Sequence, residues 1–130
     1  MTPAALVVDD EPDLAATCER LQRRAGYTVV TVTSRRSALA ALDAAPFALA
    51  VVDRHLPDGD GLDVLRVARE HAIPVVIMTG YASATSRTSS HSAGAAAYLA
   101  KPFSAQAFLA AVGTAVAASP PDRAPGPADN

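Results

Sequence analysis

The chain has 130 residues, enough for one domain that buries roughly two-thirds of its unfolded surface. A net charge of -2 gives no electrostatic footprint for nucleic acid or an anionic membrane, and no apolar run approaches the ~20 residues that span a bilayer. Thirty residues are alanine and none is tryptophan, so the core must be built mainly from Leu, Val and Ala.

Short apolar runs alternate with helical patterns along the whole chain. Leu6–Val8 reads as the first strand and runs into Asp9-Asp10-Glu11-Pro12, acids that could cap and charge the start of a helix. That helix carries Leu14, Cys18, Leu21 and Ala25 at helical spacing and stops at Gly26. Cys18 on this stripe reads as an inert buried thiol. As the single cysteine it can form no internal disulfide, and the N-terminus lacks the basic and apolar regions of a signal peptide, so the cytoplasm is the expected compartment. Thr28–Thr33 is the second strand, and Ser34 caps a second helix marked by Leu39 and Leu42.

The third strand, Phe47–Val52, is apolar without alternation from Ala48, as suits a strand buried on both faces of a parallel sheet. It ends at Asp53. Leu56-Pro57-Asp58-Gly59 then carries turn chemistry, and Leu62, Leu65 and Ala68 mark a third helix. The fourth strand, Val75–Met78, opens into Thr79-Gly80. The fourth helix falls on Ser83–Ser92, which holds no large apolar residue. Its hydroxyls compete for the backbone, so it is expected to be short, frayed or poorly docked. Ala97–Ala100 is the fifth strand, followed by Lys101-Pro102. Ser104 caps the last helix, where Ala105, Phe108, Leu109, Val112 and Val116 form one stripe. Residues 1–118 read as one domain, and the prolines of 119–130 as a disordered tail or the start of a linker. Strict strand–helix alternation argues for a doubly wound α/β domain.

In such a sheet, ligands gather beyond the carboxyl ends of the strands. Here those ends carry Asp9-Asp10-Glu11, Asp53, Thr79 and Lys101, the last being the only lysine among eleven basic residues. Carboxylates converging on one crevice must protonate, pair or take a cation. Hard oxygen ligands with room for water suit Mg²⁺, with Mn²⁺ able to substitute. Lys101 adds a compact ammonium and Thr79 a hydroxyl. A carboxylate beside Mg²⁺ with a lysine opposite is the arrangement that forms an aspartyl phosphate.

Four motifs in order, Val7-Val8-Asp9-Asp10-Glu11-Pro12, Val51-Val52-Asp53 with Leu56-Pro57-Asp58-Gly59-Asp60-Gly61-Leu62, Met78-Thr79-Gly80-Tyr81, and Tyr98-Leu99-Ala100-Lys101-Pro102-Phe103, make residues 4–118 resemble a response-regulator receiver domain of two-component signalling. The resemblance implies a flavodoxin-like, five-stranded parallel sheet in the order 2-1-3-4-5 with five helices. It makes Asp53 the phosphoacceptor for a phosphoryl group from a sensor histidine kinase or phosphotransfer protein. Asp9, Asp10, Asp53 and the backbone carbonyl of His55 would hold the metal. Lys101 and Thr79 would be catalytic, holding the phosphoryl oxygens, with a cis bond before Pro102. Thr79 and Tyr98 would form the switch. His55 and Tyr81, each two residues past Asp53 or Thr79, are expected to tune the lifetime of the phosphorylated state. His71 and His91 read as surface residues.

The chain would then be a signalling switch rather than an enzyme, limited to self-phosphorylation from a donor and slow self-hydrolysis. Its downstream target or effector domain is not written in the sequence, and both a single-domain regulator and the N-terminal part of a longer one fit. The family usually has apolar residues where Thr88 and His91 stand, and often acids at Ala96 and Ala97. The output surface of fourth helix, fifth strand and fifth helix is therefore altered. A phosphorylation-dependent homodimer stays open, but the family's standard dimer is not carried over.

Rival readings fare worse. An aspartyl-phosphate hydrolase would need Asp-x-Asp on the first strand. A flavodoxin-like electron carrier would need a hydroxyl- and glycine-rich phosphate loop where this chain is acidic. A calcium loop around Asp58-Gly59-Asp60-Gly61 has no acid at its first position in either glycine register. The remaining alternative is a pseudo-receiver, an interaction module that works without phosphorylation.

Overall fold

The computed structural model describes residues 2–81 and 83–118. The tail expected over 119–130 lies outside the described residues. In chain order the elements are β1 (Ala4–Val8), α1 (Pro12–Arg24), β2 (Thr28–Val32), α2 (Arg35–Ala44), β3 (Leu49–Asp53), β4 (His55–Leu56), β5 (Gly59–Asp60), α3 (Gly61–Glu70), β6 (Val75–Thr79), α4 (Ala84–Ser92), β7 (Ala97–Ala100) and α5 (Ala105–Ala118). The main sheet runs β2-β1-β3-β6-β7, and every pairing in it is parallel. That is the expected 2-1-3-4-5 order of the five long strands. The small antiparallel hairpin β4–β5 was not anticipated.

The pleat sorts alternate residues of the central strands to opposite faces. Leu6, Val8, Ala50, Val52, Val75 and Ile77 pack with Ala38 and Leu42 of α2 and Val64, Leu65 and Ala68 of α3. Ala5, Val7, Leu49, Val51, Val76 and Met78 pack with Cys18 and Leu21 of α1 and Phe108, Val112 and Ala115 of α5. Burial on both faces is why these strands are apolar at every position. Burial also pushes the Cys18 thiol up to about 12, with the Asp9 charge adding to the effect, so the thiolate needed for redox chemistry does not form near neutrality.

Two strands run one residue further than their apolar runs. β3 includes Asp53 and β6 includes Thr79, because Arg54 N–H donates to Met78 O and Lys101 N–H to Thr79 O, both at 2.8 Å. The ladder continues where hydrophobicity stops, and this places both polar side chains on a rigid strand end.

α2 is capped twice. Ser34 and Ser37 exchange a reciprocal capping box. Asp58, in the turn between β4 and β5, accepts from the N–H groups of Arg35 at 2.7 Å and Arg36 at 2.9 Å. Those backbone bonds hold the Asp58 carboxyl below the usual range and tether the segment after Asp53 to α2.

α4 is short, as one of the expected alternatives had it. It is continuous over nine residues, with Ser83 Oγ accepting from Ser86 N–H at 3.0 Å as its cap. It is the shortest of the five helices among the described residues.

Candidate functional site

Parallel pairing brings the carboxyl ends of β1, β3, β6 and β7 to one edge, with Val8 level with Val52, Asp53 with Met78 and Thr79 with Ala100. The next residues out are the charged ones. Asp9 is fully buried, Asp53 is 4% exposed and Asp10 is exposed. Asp9 and Asp53 use the same local device: Oδ1 accepts the N–H two residues on, from Glu11 and His55 respectively, each at 3.0 Å. This fixes each carboxylate and points its second oxygen at Lys101.

The ammonium of Lys101 stands 2.9 Å from Asp53 Oδ2, 3.2 Å from Asp9 Oδ2 and 2.7 Å from Glu11 Oε1. Burial alone would lower the Lys101 pKa, but hydrogen bonds to Glu11 and Asp53 and the charges of Asp53 and Asp9 outweigh it and hold it above the usual lysine range. Asp9 moves the other way from a normal salt-bridged acid. Its burial raises the carboxyl, against the lowering pull of the Glu11 N–H and of Lys101.

One ammonium cannot balance this cluster. Carboxylate oxygens of Asp9, Asp10 and Asp53 all lie within 4.8 Å of one another. Asp9 Oδ2 is buried, with the Lys101 ammonium 3.2 Å away but no well-formed hydrogen bond, so it keeps ligand capacity toward the cluster. Hard oxygen donors with one exposed side fit a divalent cation of the Mg²⁺ type. The crevice in front of them measures about 1060 Å³ and is open to solvent, with His55 and Tyr81 on its rim. Their rings meet edge-on, 4.7 Å between centroids and 75° between planes.

Two expected residues stand apart. Thr79 is fully buried behind the wall formed by Gly80 and Tyr81, and its Oγ1 accepts from Tyr81 N–H at 3.0 Å. Tyr98 faces α4, where its hydroxyl donates to Ser86 Oγ at 3.0 Å. The Lys101–Pro102 peptide is cis. His71 and His91 are exposed.

Two participants were missed in the sequence. Glu11, read as a helix cap, makes no capping hydrogen bond with its side chain and instead gives Lys101 its shortest contact. The excess of acids over one lysine was the available signal. Arg54 was not singled out, yet its guanidinium spans from β3 to α4. The hydroxyl-rich α4, with no large apolar residue to dock it, was the only hint.

Residues 5–113 match the family described as the response regulator receiver domain. Among curated relatives, the transcriptional regulatory protein TcrA of Mycobacterium tuberculosis is 36% identical over 107 residues, which cover 81% of this chain and 42% of that protein. The chain thus spans less than half the length of that relative. Among solved structures, a CheY-like receiver domain protein from Methanospirillum hungatei superposes with a TM-score of 0.83 at 26% identity, covering 92% of this chain and 97% of that one. A response regulator from Burkholderia pseudomallei, crystallised with a phosphorylated aspartic acid, a calcium ion and citrate, gives a TM-score of 0.79 at 31% identity, covering 94% and 73%.

Proposed function

The chain belongs to the response regulator receiver domain family of two-component signalling, and from that premise we propose that Asp53 accepts a phosphoryl group from the phosphohistidine of a sensor kinase or phosphotransfer protein. The observation that carries this reading is the Asp53 carboxylate, locked on the His55 N–H at 3.0 Å, with the ammonium of Lys101 at 2.9 Å in an open acidic crevice. Asp9, Asp10 and Asp53, with the His55 backbone carbonyl, are the residues that would hold Mg²⁺. That ion would offset the charge of carboxylates and phosphoryl oxygens together.

The rest is done by side chains. An Asp53 oxygen attacks phosphorus as the bond to the donor imidazole breaks, and the imidazole leaves with its nitrogen lone pair. Lys101 gives up its contacts with Glu11 and Asp9 and turns to a phosphoryl oxygen, where its charge is most needed. Thr79 leaves the Tyr81 N–H to donate its hydroxyl to another. Tyr98 then moves into the space vacated by Thr79, altering the surface of α4, β7 and α5. Water later cleaves the acyl phosphate and restores the carboxylate. A sensor kinase partner would put these events in the cytoplasm. Among the described residues no helix is long and apolar enough to cross a membrane.

Incubation with acetyl phosphate and Mg²⁺ followed by intact-mass measurement tests the assignment. Wild type should gain one phosphoryl group and Asp53→Asn none. A wild type that gains nothing would favour the pseudo-receiver, and an unchanged gain on Asp53→Asn would move the acceptor elsewhere. The decay of the phosphorylated form tests the rim. Tyr81 is 75% exposed and, with His55, lines the crevice through which hydrolytic water would reach Asp53. Trimming both to alanine should shorten the phosphorylated lifetime, and an unaltered decay rate removes them from that role.

A further inference from the structure

Of the nine residues of α4 only Ser90 is buried, so apolar burial contributes little to seating this helix on the sheet. Its seat is polar. Arg54, the residue after Asp53, sends Nη1 to Ser89 Oγ at 2.9 Å and to Ser86 Oγ at 3.4 Å. Its Nε holds Asp60 Oδ1 at 3.2 Å. The Tyr98 hydroxyl donates to the same Ser86 Oγ at 3.0 Å, and the Arg87 guanidinium covers the Tyr98 ring 4.6 Å from its centroid. One hydroxyl on α4 therefore joins the end of β3 to the aromatic of β7.

The backbone of Arg54 is fixed from both sides. Its N–H donates to Met78 O and its carbonyl accepts from Gly61 N–H, each at 2.8 Å. The Arg54 side chain thus links a fixed strand end to α4. Tyr98 in turn cannot leave its present position without giving up both the Ser86 oxygen and the Arg87 contact.

We infer that Arg54 and Ser86 are positioning residues forming a latch that holds Tyr98 against α4 in the resting state, and that its opening frees α4 when Asp53 is phosphorylated. The latch rests on the proposed switching role of Tyr98. It explains why a helix without large apolar residues is nevertheless formed and placed: hydroxyls are what an arginine and a tyrosine can hold.

The test uses the full chain with its three tyrosines replaced by 3-fluorotyrosine, the Tyr98 fluorine resonance being identified by Tyr98→Phe. In unphosphorylated Ser86→Ala, the Tyr98 resonance should leave its resting position toward the one reached by wild type treated with acetyl phosphate and Mg²⁺. Loss of the hydrogen bond that holds Tyr98 should by itself raise the switched population about fivefold. The amides of α4 should also exchange faster than in wild type, while those of α5 do not change. Alanine is the better helix former, so propensity cannot be the cause. Ser86→Thr, which keeps the hydroxyl, should restore both readouts, and Arg54→Met should act like Ser86→Ala. The same displacement should appear in Asp53→Asn carrying Ser86→Ala, where no phosphoryl transfer is involved, so a failure of the latch and a failure of Asp53 phosphorylation are read separately. Resting Tyr98 and α4 exchange unchanged in Ser86→Ala would overturn the latch. A wild type that gains phosphoryl mass with no movement of Tyr98 would overturn the switching role and the latch together.

Discussion

Lys101→Arg is expected to leave a folded domain that is phosphorylated about 10²-fold more slowly, the scale of losing one preorganised donor to a developing oxyanion, and that does not move Tyr98. Charge is conserved in this variant, so the prediction turns on shape. Three carboxylate oxygens converge on one nitrogen at 2.7, 2.9 and 3.2 Å, and the side chain is only 11% exposed. An ammonium meets such a convergence as a compact point charge, donating to Glu11 and Asp53 with the Asp9 oxygen beside it. A guanidinium is a planar fork that pairs with two oxygens side by side and cannot direct all of its charge to one spot. It can satisfy Glu11, which is exposed, but it reaches the incoming phosphoryl group in the wrong place. Thermal unfolding should show an intact fold that Mg²⁺ still stabilises, while the intact-mass time course lags and the Tyr98 resonance stays at rest. Wild-type kinetics and switching in the arginine variant would show that any cation suffices. The ten arginines elsewhere would then make the lone lysine an accident of composition.

Asp9, Asp10, Asp53 and Lys101 were legible in the sequence because each follows an apolar run, and parallel strands put all such ends on one edge. Burial on both faces made Ala48–Val52 readable as a central strand for the same reason. What escaped is what apolarity does not encode. Asp53 and Thr79 belong to their strands through backbone bonds, which leave no mark on side-chain pattern. The β4–β5 hairpin pairs only His55 with Asp60 and Leu56 with Gly59, too few residues for a period to show. The partners that seat α4 and hold Lys101 are distant in sequence: Arg54 reaches Ser89 across 35 positions, and Glu11 reaches Lys101 across 90. A local reading saw that Ser83–Ser92 lacked large apolar anchors and expected a helix that is short, frayed or poorly docked. It could not see that an arginine on another element replaces them.

Gly61→Ala should be damaging for a reason that no turn rule supplies. Gly61 is not among the positive-φ glycines, so its backbone conformation is open to alanine. The obstacle is space. A Cβ there would collide with the Asp53 carbonyl oxygen and come within 3.0 Å of Arg54 Cα. Both are backbone atoms at the strand end that carries the proposed phosphoacceptor and the inferred latch, and neither can swing aside as a flexible side chain would. The start of α3 sits this close because Gly61 N–H donates to Arg54 O at 2.8 Å, so the helix helps define where β3 ends. The methyl group must therefore push α3 away, breaking that bond, or displace Asp53 itself. Overpacking of this kind costs about 1–3 kcal/mol, and urea unfolding should show it. Phosphorylation by acetyl phosphate should slow as well, because the Asp53 carboxylate loses its alignment with Lys101. Gly113→Ala is the control. Gly113 is exposed on α5 with nothing within 4 Å of an added Cβ, so the same change there should stabilise by about 0.5–1 kcal/mol and leave phosphorylation unaltered. If Gly61→Ala instead matched wild type in both stability and rate, β3 and α3 would have to separate without cost, and the strand end would not be the rigid platform on which the site depends.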